Sequence, residues 1–505
     1  MLNHKITDIL KTFSTDDIKK FREFLDSPFY NKNKKIRKLY TSLIGFHPDY
    51  KSPKLTKQSL HDKINNGTPY NDSSMQSLLA DIFHLAESYL TQINIQSKEI
   101  RSRDFLINEL FKRKLNGLIE PNIKRSADLI RDDKDIGADY YMNNFKIITD
   151  KLNHISINKP RKNSTVINTY IEQLTERGKY LTYFFVSTIM AEKDALFALN
   201  KTYNIEKKSN FIFQMFETMD IKKLIKLIIM HSGDKKISLV FEIYYHLYMA
   251  FSNSNNKVKD RYYFKYKKLF LDSIKMFSQD EIRFHFGKMT RYCQNKASGN
   301  KKFDRELFNL YNFILDKGYY RSVITDYLPV ELYRTILFLG LKLNEYKWTE
   351  NFIKKFSKKL HPDRSKNMYN YALGEYCFKR GRYKKVLYYF HNIEQSHFML
   401  KLDLKNTMLK TYYELNEFKS ALNLISTYKQ FLVKNKTLST KEKNIHRNFL
   451  KILYKLIRSR SSDTRYPKRY SIVEDLKKDV LHKDWFLEKQ TEFIYIRYIP
   501  TAAAA

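Results

Sequence analysis

A helix–turn–helix pattern that recurs in the C-terminal third of the chain is the sequence feature that most constrains the fold. One copy has Leu373-Gly374 before the turn Gly381-Arg382-Tyr383, and a later copy has the turn Leu415-Asn416-Glu417-Phe418. Phe418 follows Tyr383 by 35 residues. An interval of this length is typical of repeats built from two antiparallel helices. The pattern therefore predicts an all-α protein, an α-solenoid of stacked helical hairpins that works mostly by offering a surface to partners.

A third hairpin precedes these two. Tyr346, the last residue of Leu343-Asn344-Glu345-Tyr346, comes 37 residues before Tyr383, and three stacked hairpins are the usual minimum for a stable array. Gly381 or Asn416 lets the chain turn, and the aromatic residue two positions later fills the gap between the helices. The residue three positions further on must be of modest size. Thr349, Val386 and Ala421 meet that requirement.

Composition favours helices over an α/β enzyme fold. Glycine and proline are scarce, at 12 and 10 of 505 residues, while the chain holds 38 Tyr and 36 Phe. Few helix breakers and many large apolar side chains suit long helices joined by short polar turns.

Changes of pattern along the chain predict four parts. They are a helical N-terminal domain at 1–100, a region of helical hairpins at 101–322, the repeats at 323–460, and a basic linker, capping helix and tail at 461–505. In the first part, Ser14 is predicted to cap a helix that Ser27-Pro28 ends. In the last part, residues 473–488 are predicted to form the capping helix. The β-branched and aromatic residues 493–499 suggest a strand that could pair with a partner, or a docked or disordered extension.

The three hairpins resemble those of the tetratricopeptide-repeat superfamily. A family of uncharacterised bacterial helical-repeat proteins of about this length is similar at three longer segments, Ser27-Pro28-Phe29-Tyr30-Asn31-Lys32, Trp348-Thr349-Glu350-Asn351-Phe352-Ile353 and Leu409-Lys410-Thr411-Tyr412-Tyr413-Glu414-Leu415. That resemblance covers most of the chain and implies a fold but no activity.

The residues expected on the concave side of the repeats differ from those of the superfamily's best-known peptide binders. Chaperone-docking tetratricopeptide domains bind peptides through Lys, Arg and Asn on their inner helices. The corresponding positions here are Tyr371, Glu375, Asp403 and Asn406. That function is therefore not transferred, and the four residues are our candidates for binding a different protein partner.

Charge is the strongest remaining signal. The chain has 92 Lys and Arg against 54 Asp and Glu, a net charge of +38, and such an excess attracts polyanions or acidic proteins. A compositional alternative is open, because Lys, Asn, Ile, Tyr and Phe all have A/T-rich codons. Two basic clusters lie in neighbouring hairpins and could form one polyanion-binding stripe. They comprise Lys354, Lys355, Lys358 and Lys359, and then Lys379, Arg380, Arg382, Lys384 and Lys385. A solvated face without a ligand is the alternative interpretation.

No set of residues predicts a reaction, a cofactor, a metal ion or a small-molecule substrate. The chain lacks phosphate-binding glycine loops, nucleophile motifs and His or Cys pairs at zinc-ligand spacing. His361-Pro362-Asp363 resembles the loop of a J-domain, which would make the protein an Hsp70 co-chaperone. The alternative is a proline-containing turn between hairpins.

Two cysteines and the absence of an apolar leader in residues 1–14 predict a cytoplasmic protein. The most apolar run, 181–199, is interrupted by Glu192-Lys193-Asp194, so no membrane insertion is expected. The sequence thus predicts a non-enzymatic scaffold or adaptor that binds a protein partner in a cytoplasmic assembly. The alternative is a basic solenoid that binds RNA or the ribosome through phosphates, and a lesser one is the co-chaperone.

Overall fold

The computed structural model of the chain describes residues 2–65, 67–131, 135–158, 164–202, 210–252, 255–297, 300–322, 324–394, 398–436, 438–460 and 473–495. Within these ranges the protein is all-helical, with 23 α-helices and no strand. Helices that are neighbours in sequence pack against each other as pairs. The predicted all-α class is therefore confirmed.

The first nine helices are α1 (Lys5–Leu10), α2 (Thr15–Asp26), α3 (Lys34–Ile44), α4 (Lys57–Ile64), α5 (Asp72–Ser97), α6 (Glu99–Lys112), α7 (Asn116–Arg131), α8 (Ala138–Asn158) and α9 (Ser164–Thr202). They are followed by α10 (Phe211–Thr218), α11 (Ile221–His231), α12 (Lys235–Ala250), α13 (Asn256–Asp272), α14 (Gln279–Lys296) and α15 (Lys301–Lys317). The last eight are α16 (Val330–Lys342), α17 (Tyr346–Phe356), α18 (Pro362–Lys379), α19 (Tyr383–His391), α20 (Phe398–Glu414), α21 (Phe418–Lys434), α22 (Thr440–Arg460) and α23 (Lys483–Tyr495).

The chain divides into two compact units. The first comprises 1–132 and 143–177, and the second comprises 133–142 and 178–505, so the division falls within α8 and α9. In the first unit, α1 to α5 enclose a core of apolar side chains drawn from Leu2 to Tyr89. Ser14 and Asp17 form the expected capping box at the start of α2, which ends at Asp26 just before Ser27-Pro28. The predicted helix start and stop are confirmed here.

The second unit contains the predicted repeats, and their turns have the expected geometry. Asn344, Gly381 and Asn416 all have a positive φ, of 59°, 68° and 59°. This left-handed conformation is costly for most residues but accessible to glycine and asparagine. Each turn residue sits two positions before the aromatic residue that begins α17, α19 or α21. The predicted role of these turns is confirmed.

Close approach of paired helices explains two glycines in the same unit. A Cβ on Gly374 of α18 would lie 2.0 Å from the Phe390 ring of α19. A Cβ on Gly340 of α16 would lie 2.5 Å from the Thr349 hydroxyl of α17. The two glycines are 34 residues apart in the sequence. The same helix crossing thus recurs in consecutive pairs and needs a residue without a side chain on one helix.

The C-terminal segment differs in its boundaries from the prediction. The described part begins with a short 3-10 turn at Asp475–Lys477, and the helix starts only at Lys483 and continues to Tyr495. Trp485 and Phe486 are buried as expected of a capping helix, but Leu487 is 43% exposed. Residues 493–495 are helical, so the strand alternative is wrong for them, and 496–499 lie outside the described residues.

The apolar run at 181–199 lies in α9. Among the helices that are described, none combines the length and the hydropathy needed to cross a bilayer.

Candidate functional site

All nine residues of the two predicted basic clusters are exposed to solvent. Lys354 and Lys355 lie in the last turn of α17, and Lys358 and Lys359 belong to the 3-10 turn that follows it. The second cluster surrounds the turn from α18 to α19. It consists of Lys379, Arg380, Arg382, Lys384 and Lys385. The sequence therefore predicted their accessibility correctly.

A surface groove lies where α17 ends and α18 begins. Lysine side chains contribute much of its polar lining, tyrosine rings flank them, and no carboxylate is among the residues that line it. The lining residues are Tyr327, Lys354, Ser357, Lys358, Leu360, Pro362, Ser365, Lys366 and Tyr369. The residues that line the groove therefore carry three positive charges and no negative charge.

Glu350 connects this groove with the second basic cluster. Lys354 Nζ lies 2.6 Å from Oε1 of Glu350. The hydrogen bond from Lys354 lowers the pKa of Glu350, and the Tyr376 hydroxyl and the positive charge of Arg382 act in the same direction. One carboxylate on α17 is thus close to both clusters. Through Glu350, residues of the two clusters lie near one another on the exposed surface.

The outward side of α18 completes that surface. Lys366, Tyr369, Tyr376 and Arg380 follow one another at intervals of three, seven and four residues, which places them along one stripe of the helix. The Arg380 guanidinium lies over the ring of Tyr346, 4.8 Å from its centroid. We call the surface formed by the groove, this stripe and the second cluster the basic–tyrosine face.

The four residues predicted on the concave side are mostly buried, unlike those of the basic clusters. Tyr371, Glu375 and Asn406 are at most 4% exposed, and the Asp403 side chain is 13% exposed. The structure brings all four together, but their side chains contact each other and other helices. They present almost no surface to a partner in this structure. Their predicted binding role stays a prediction.

Asp403 of α20 is the centre of one half of this inner network. The Arg334 guanidinium of α16 donates to both of its carboxylate oxygens, to Oδ2 through Nε and to Oδ1 through the terminal nitrogen at 2.7 Å. The Tyr371 hydroxyl of α18 donates to Oδ2 at 3.1 Å. A paired carboxylate of this kind links one helix from each of three consecutive hairpins.

Glu375 and Lys410 are an acidic and a basic side chain buried in the network, 4% and 5% exposed. Burial raises the pKa of Glu375, and burial lowers the pKa of Lys410, while each group favours the charged form of the other. The Thr407 hydroxyl hydrogen-bonds the Glu375 carboxylate, but Oε1 has no partner among the described residues. The Lys410 ammonium lies 4.5 Å from the centroid of the Phe378 ring.

Histidines extend the network away from Asp403. The Tyr428 hydroxyl donates to Oδ1 of Asn406 at 3.1 Å and lies 2.7 Å from Nδ1 of His446. Burial lowers the pKa of His446 to about 4, although Asp403 acts in the opposite direction. Burial, and then the charge of Lys410, also lower the pKa of His482. Both imidazoles are therefore neutral at pH 7.

The C-terminal helix closes the other end of the network. Lys489 and Glu414 form an ion pair at 2.8 Å, and their side chains are only 7% and 9% exposed. The indole nitrogen of Trp485 donates to Glu414 at 2.8 Å. Just before the helix, Nδ1 of His482 accepts a hydrogen bond of 3.2 Å from Lys410. The segment that contains α23 thus covers polar groups of α20.

Sequence reasoning missed Arg334, Lys410, His446 and His482 as parts of this network. Lys410 could have been found from the sequence, because Asp403, Asn406 and Lys410 are spaced by three and four residues along α20. Extending the predicted inner stripe by one turn would have included Lys410. Arg334, His446 and His482 belong to other elements, so only the packing of those elements reveals them.

His361 marks the start of α18. Its Nδ1 accepts a weak hydrogen bond of 3.4 Å from the backbone N–H of Asp363, and Pro362 occupies the first turn. The tripeptide therefore has the geometry of a helix start between hairpins. Within the part of the chain that the structure describes, no group of three or more His, Cys, Asp and Glu side chains could hold a metal ion.

Comparison of the chain with protein-family models, curated proteins and solved structures gave no match.

Proposed function

We propose that the helix pairs of the second unit form an α-solenoid, and that the chain is a non-enzymatic binding protein. Support comes from the order of helix contacts. Each hairpin packs internally, as α16 with α17, α18 with α19 and α20 with α21, and the first helices also pack on each other, α16 on α18 and α18 on α20. Stacking of this kind is characteristic of helical-repeat arrays. The relationship to the tetratricopeptide-repeat superfamily stays a prediction.

The ligand that the geometry favours is a polyanion bound on the basic–tyrosine face. The observation that carries this proposal is the groove, in which Lys354, Lys358 and Lys366 are placed together without an acidic lining residue. An extended array of cations attracts a polymer of phosphates through release of its counterions. RNA, including RNA in a ribosome, belongs to this class of ligand.

Charge reversal in the groove tests the proposal. Fluorescence anisotropy with a labelled RNA and a labelled duplex DNA, over about 50 to 300 mM salt, should give affinities that fall steeply with salt. The double variant Lys358→Glu/Lys366→Glu should weaken binding at least ten-fold. It should also reduce the slope of log K against log salt by about 1.5, since two phosphate contacts are lost.

The matched control is Lys451→Glu, an exposed lysine of α22 outside the basic–tyrosine face. It changes the net charge of the protein but none of the groove. If it weakened binding as much per charge as the groove variant, attraction would come from the overall charge of the protein. Absence of binding at the lowest salt would reject the polyanion proposal.

A second candidate function, an adaptor for a protein partner, is favoured by a groove of the first unit that contains exposed apolar side chains among polar ones. α6 and α8 line it with Phe105, Phe111 and Ile157, and Phe105 and Ile157 are 57% and 58% exposed. Large apolar side chains left in water at a concave surface are typical of protein-docking sites. The cytoplasmic setting of such an assembly is part of this proposal.

Quantitative affinity capture tests the adaptor function. A partner that docks in the groove should be enriched by the natural chain and lost with Phe105→Ser/Ile157→Ser. It should persist with Val433→Ser, which removes an apolar side chain of α21 that is 71% exposed, and with the lysine double variant. Capture that does not change between the groove variant and Val433→Ser would contradict docking at this groove.

A further inference from the structure

We infer that the ligand of the basic–tyrosine face is an unpaired nucleic-acid strand, with Tyr327 and Tyr369 acting as platforms for its bases. This inference rests on the proposed polyanion-binding function and adds to it. Polyanions differ in what lies between their charges. Nucleic acids have flat aromatic bases, whereas polyphosphate and acidic peptides do not.

The tyrosines of the groove are available to a ligand. Tyr327 and Tyr369 are 41% and 36% exposed, and both line the same groove as the lysines. They come from separate elements, since Tyr327 precedes α16 and Tyr369 belongs to α18. Their placement around one groove is therefore a product of the fold.

The structure also shows which aromatic rings lie next to each of the two tyrosines. The Tyr327 ring contacts the His361 ring edge-on, with centroids 5.0 Å apart and planes at 70°. Among the described residues no other aromatic ring packs on Tyr369 within the distances found elsewhere in the chain. A stacking platform needs exposed ring surface that no other ring occupies, and both side chains offer some.

The cations of the groove are placed to contact phosphates beside those rings. Lys354 is engaged with Glu350, whereas Lys358 and Lys366 make no ion pair with any residue that the structure describes. Lys366 precedes Tyr369 by three residues on α18, so the ammonium and the ring project from neighbouring positions of one helix face. Alternation of free cations and exposed rings is the arrangement by which single strands are bound without sequence preference.

A duplex cannot use this arrangement. Its bases are stacked on each other, and exposing one of them requires breaking pairing and stacking. A duplex would contact the lysines only, and the tyrosines would contribute little. An unpaired strand of RNA or DNA can make both kinds of contact. Its phosphates are attracted to the lysines, and its bases are free to stack on the aromatic side chains.

The experiment compares three labelled probes and two base-free competitors on the full chain. They are a labelled oligouridine of 20 nucleotides, the same length of oligothymidine, a duplex of that length, and inorganic polyphosphate with poly-glutamate as base-free competitors. Both single strands should bind at least five-fold more tightly than the duplex at equal salt. Tyr369→Ala and Tyr327→Ala should each weaken single-strand binding about ten-fold, while competition by polyphosphate stays unchanged.

Phenylalanine variants separate stacking from structural damage. Tyr369→Phe and Tyr327→Phe keep the ring and should retain single-strand affinity within about two-fold. Equal binding of duplex and single strands, or an alanine variant that weakens polyphosphate as much as oligouridine, would overturn the inference while leaving the polyanion function standing. Stronger binding of poly-glutamate than of oligouridine would overturn it in favour of an acidic protein. Failure of every probe would remove the proposed function itself.

Discussion

Two sides of one helix, α18, use the same residue types under opposite physical conditions. Tyr369 on the outer side is 36% exposed, and it shares a groove with Lys358 and Lys366, which make no ion pair with any described residue. Tyr371, two positions later, is fully buried and donates its hydroxyl to Asp403. The separation of about 200° between these positions comes from the helix geometry. A lysine–tyrosine surface and a buried charge network therefore share a single element.

The difference shows where this fold can leave a charge without a partner. In water an isolated ammonium costs nothing, and an exposed ion pair such as Lys354–Glu350 contributes at most about 1 kcal/mol. In the interior an unpaired charge costs several kcal/mol, so Asp403 is surrounded by donors from two other helices. Unpaired charge on the outer side remains available to a ligand, whereas charge on the inner side is already used by the protein.

The largest expected effect comes from removing the positive partner of Asp403. Arg334→Met should lower the free energy of unfolding by about 3 kcal/mol, because it removes the paired guanidinium from a mostly buried carboxylate, whose remaining hydrogen bond among the described residues comes from the Tyr371 hydroxyl. Urea titration followed by circular dichroism measures the change. The matched outer-side variant is Lys354→Met, which removes an exposed pair and should cost less than about 0.5 kcal/mol. Equal costs would show that the inner side is as hydrated as the outer side.

The pH dependence of the free energy of unfolding tests the same difference between buried and exposed groups. His446 has a folded-state pKa of about 4, below the unfolded value of about 6.5. Its neutral form is therefore favoured by folding, and the contribution is complete above pH 6.5 and is lost as the pH falls towards 4. Between pH 8 and pH 5 this histidine should account for about 2 kcal/mol of lost stability.

His446→Gln tests that contribution. The variant keeps a polar group near Tyr428 but does not titrate, so its unfolding free energy should fall about 2 kcal/mol less between pH 8 and pH 5 than that of the natural chain. His84→Gln is the control, since His84 is exposed on α5 of the first unit. If both variants lost stability equally on acidification, burial of His446 would not explain the dependence.

The smallest effect is expected from single hydroxyl groups on the two sides of α18. Tyr371→Phe should cost about 1.5 kcal/mol, because the hydrogen bond to Asp403 has a charged acceptor and is shielded from water. Tyr369→Phe should change stability by less than about 0.3 kcal/mol, because water replaces its hydroxyl contacts. Thermal and urea unfolding of the two variants measure the difference directly, and a loss at position 369 equal to that at 371 would argue against the contrast.

Much of the fold could be predicted from local pattern. The turns at Asn344, Gly381 and Asn416 have the backbone conformation that their residue types and spacing predicted, and the capped start of α2 is where Ser14 placed it. These features depend on interactions over a few residues. The start of α23 was predicted ten residues too early, because the helical period of its apolar residues does not distinguish a helix from a turn that packs on the same core.

The candidate sites were predictable to different degrees. The basic clusters were found as runs of charge, and their exposure follows from the cost of burying lysine. The groove was not predictable, because Tyr327, Lys358 and Lys366 come from three separate elements. The four inner residues were correctly grouped on one side of their helices, but their burial depends on Arg334, Tyr428 and the segment around α23.

The sequence by itself determined the helical class, the positions of the repeat turns and the net charge of +38. These properties follow from residue preferences and periodicity within about 40 residues. Only the tertiary structure decided which charges are paired and which are left in water, because that outcome depends on partners as distant in sequence as Lys489 and Glu414. The interior requires a matching donor or acceptor for each charge, whereas the surface accepts a charge without one.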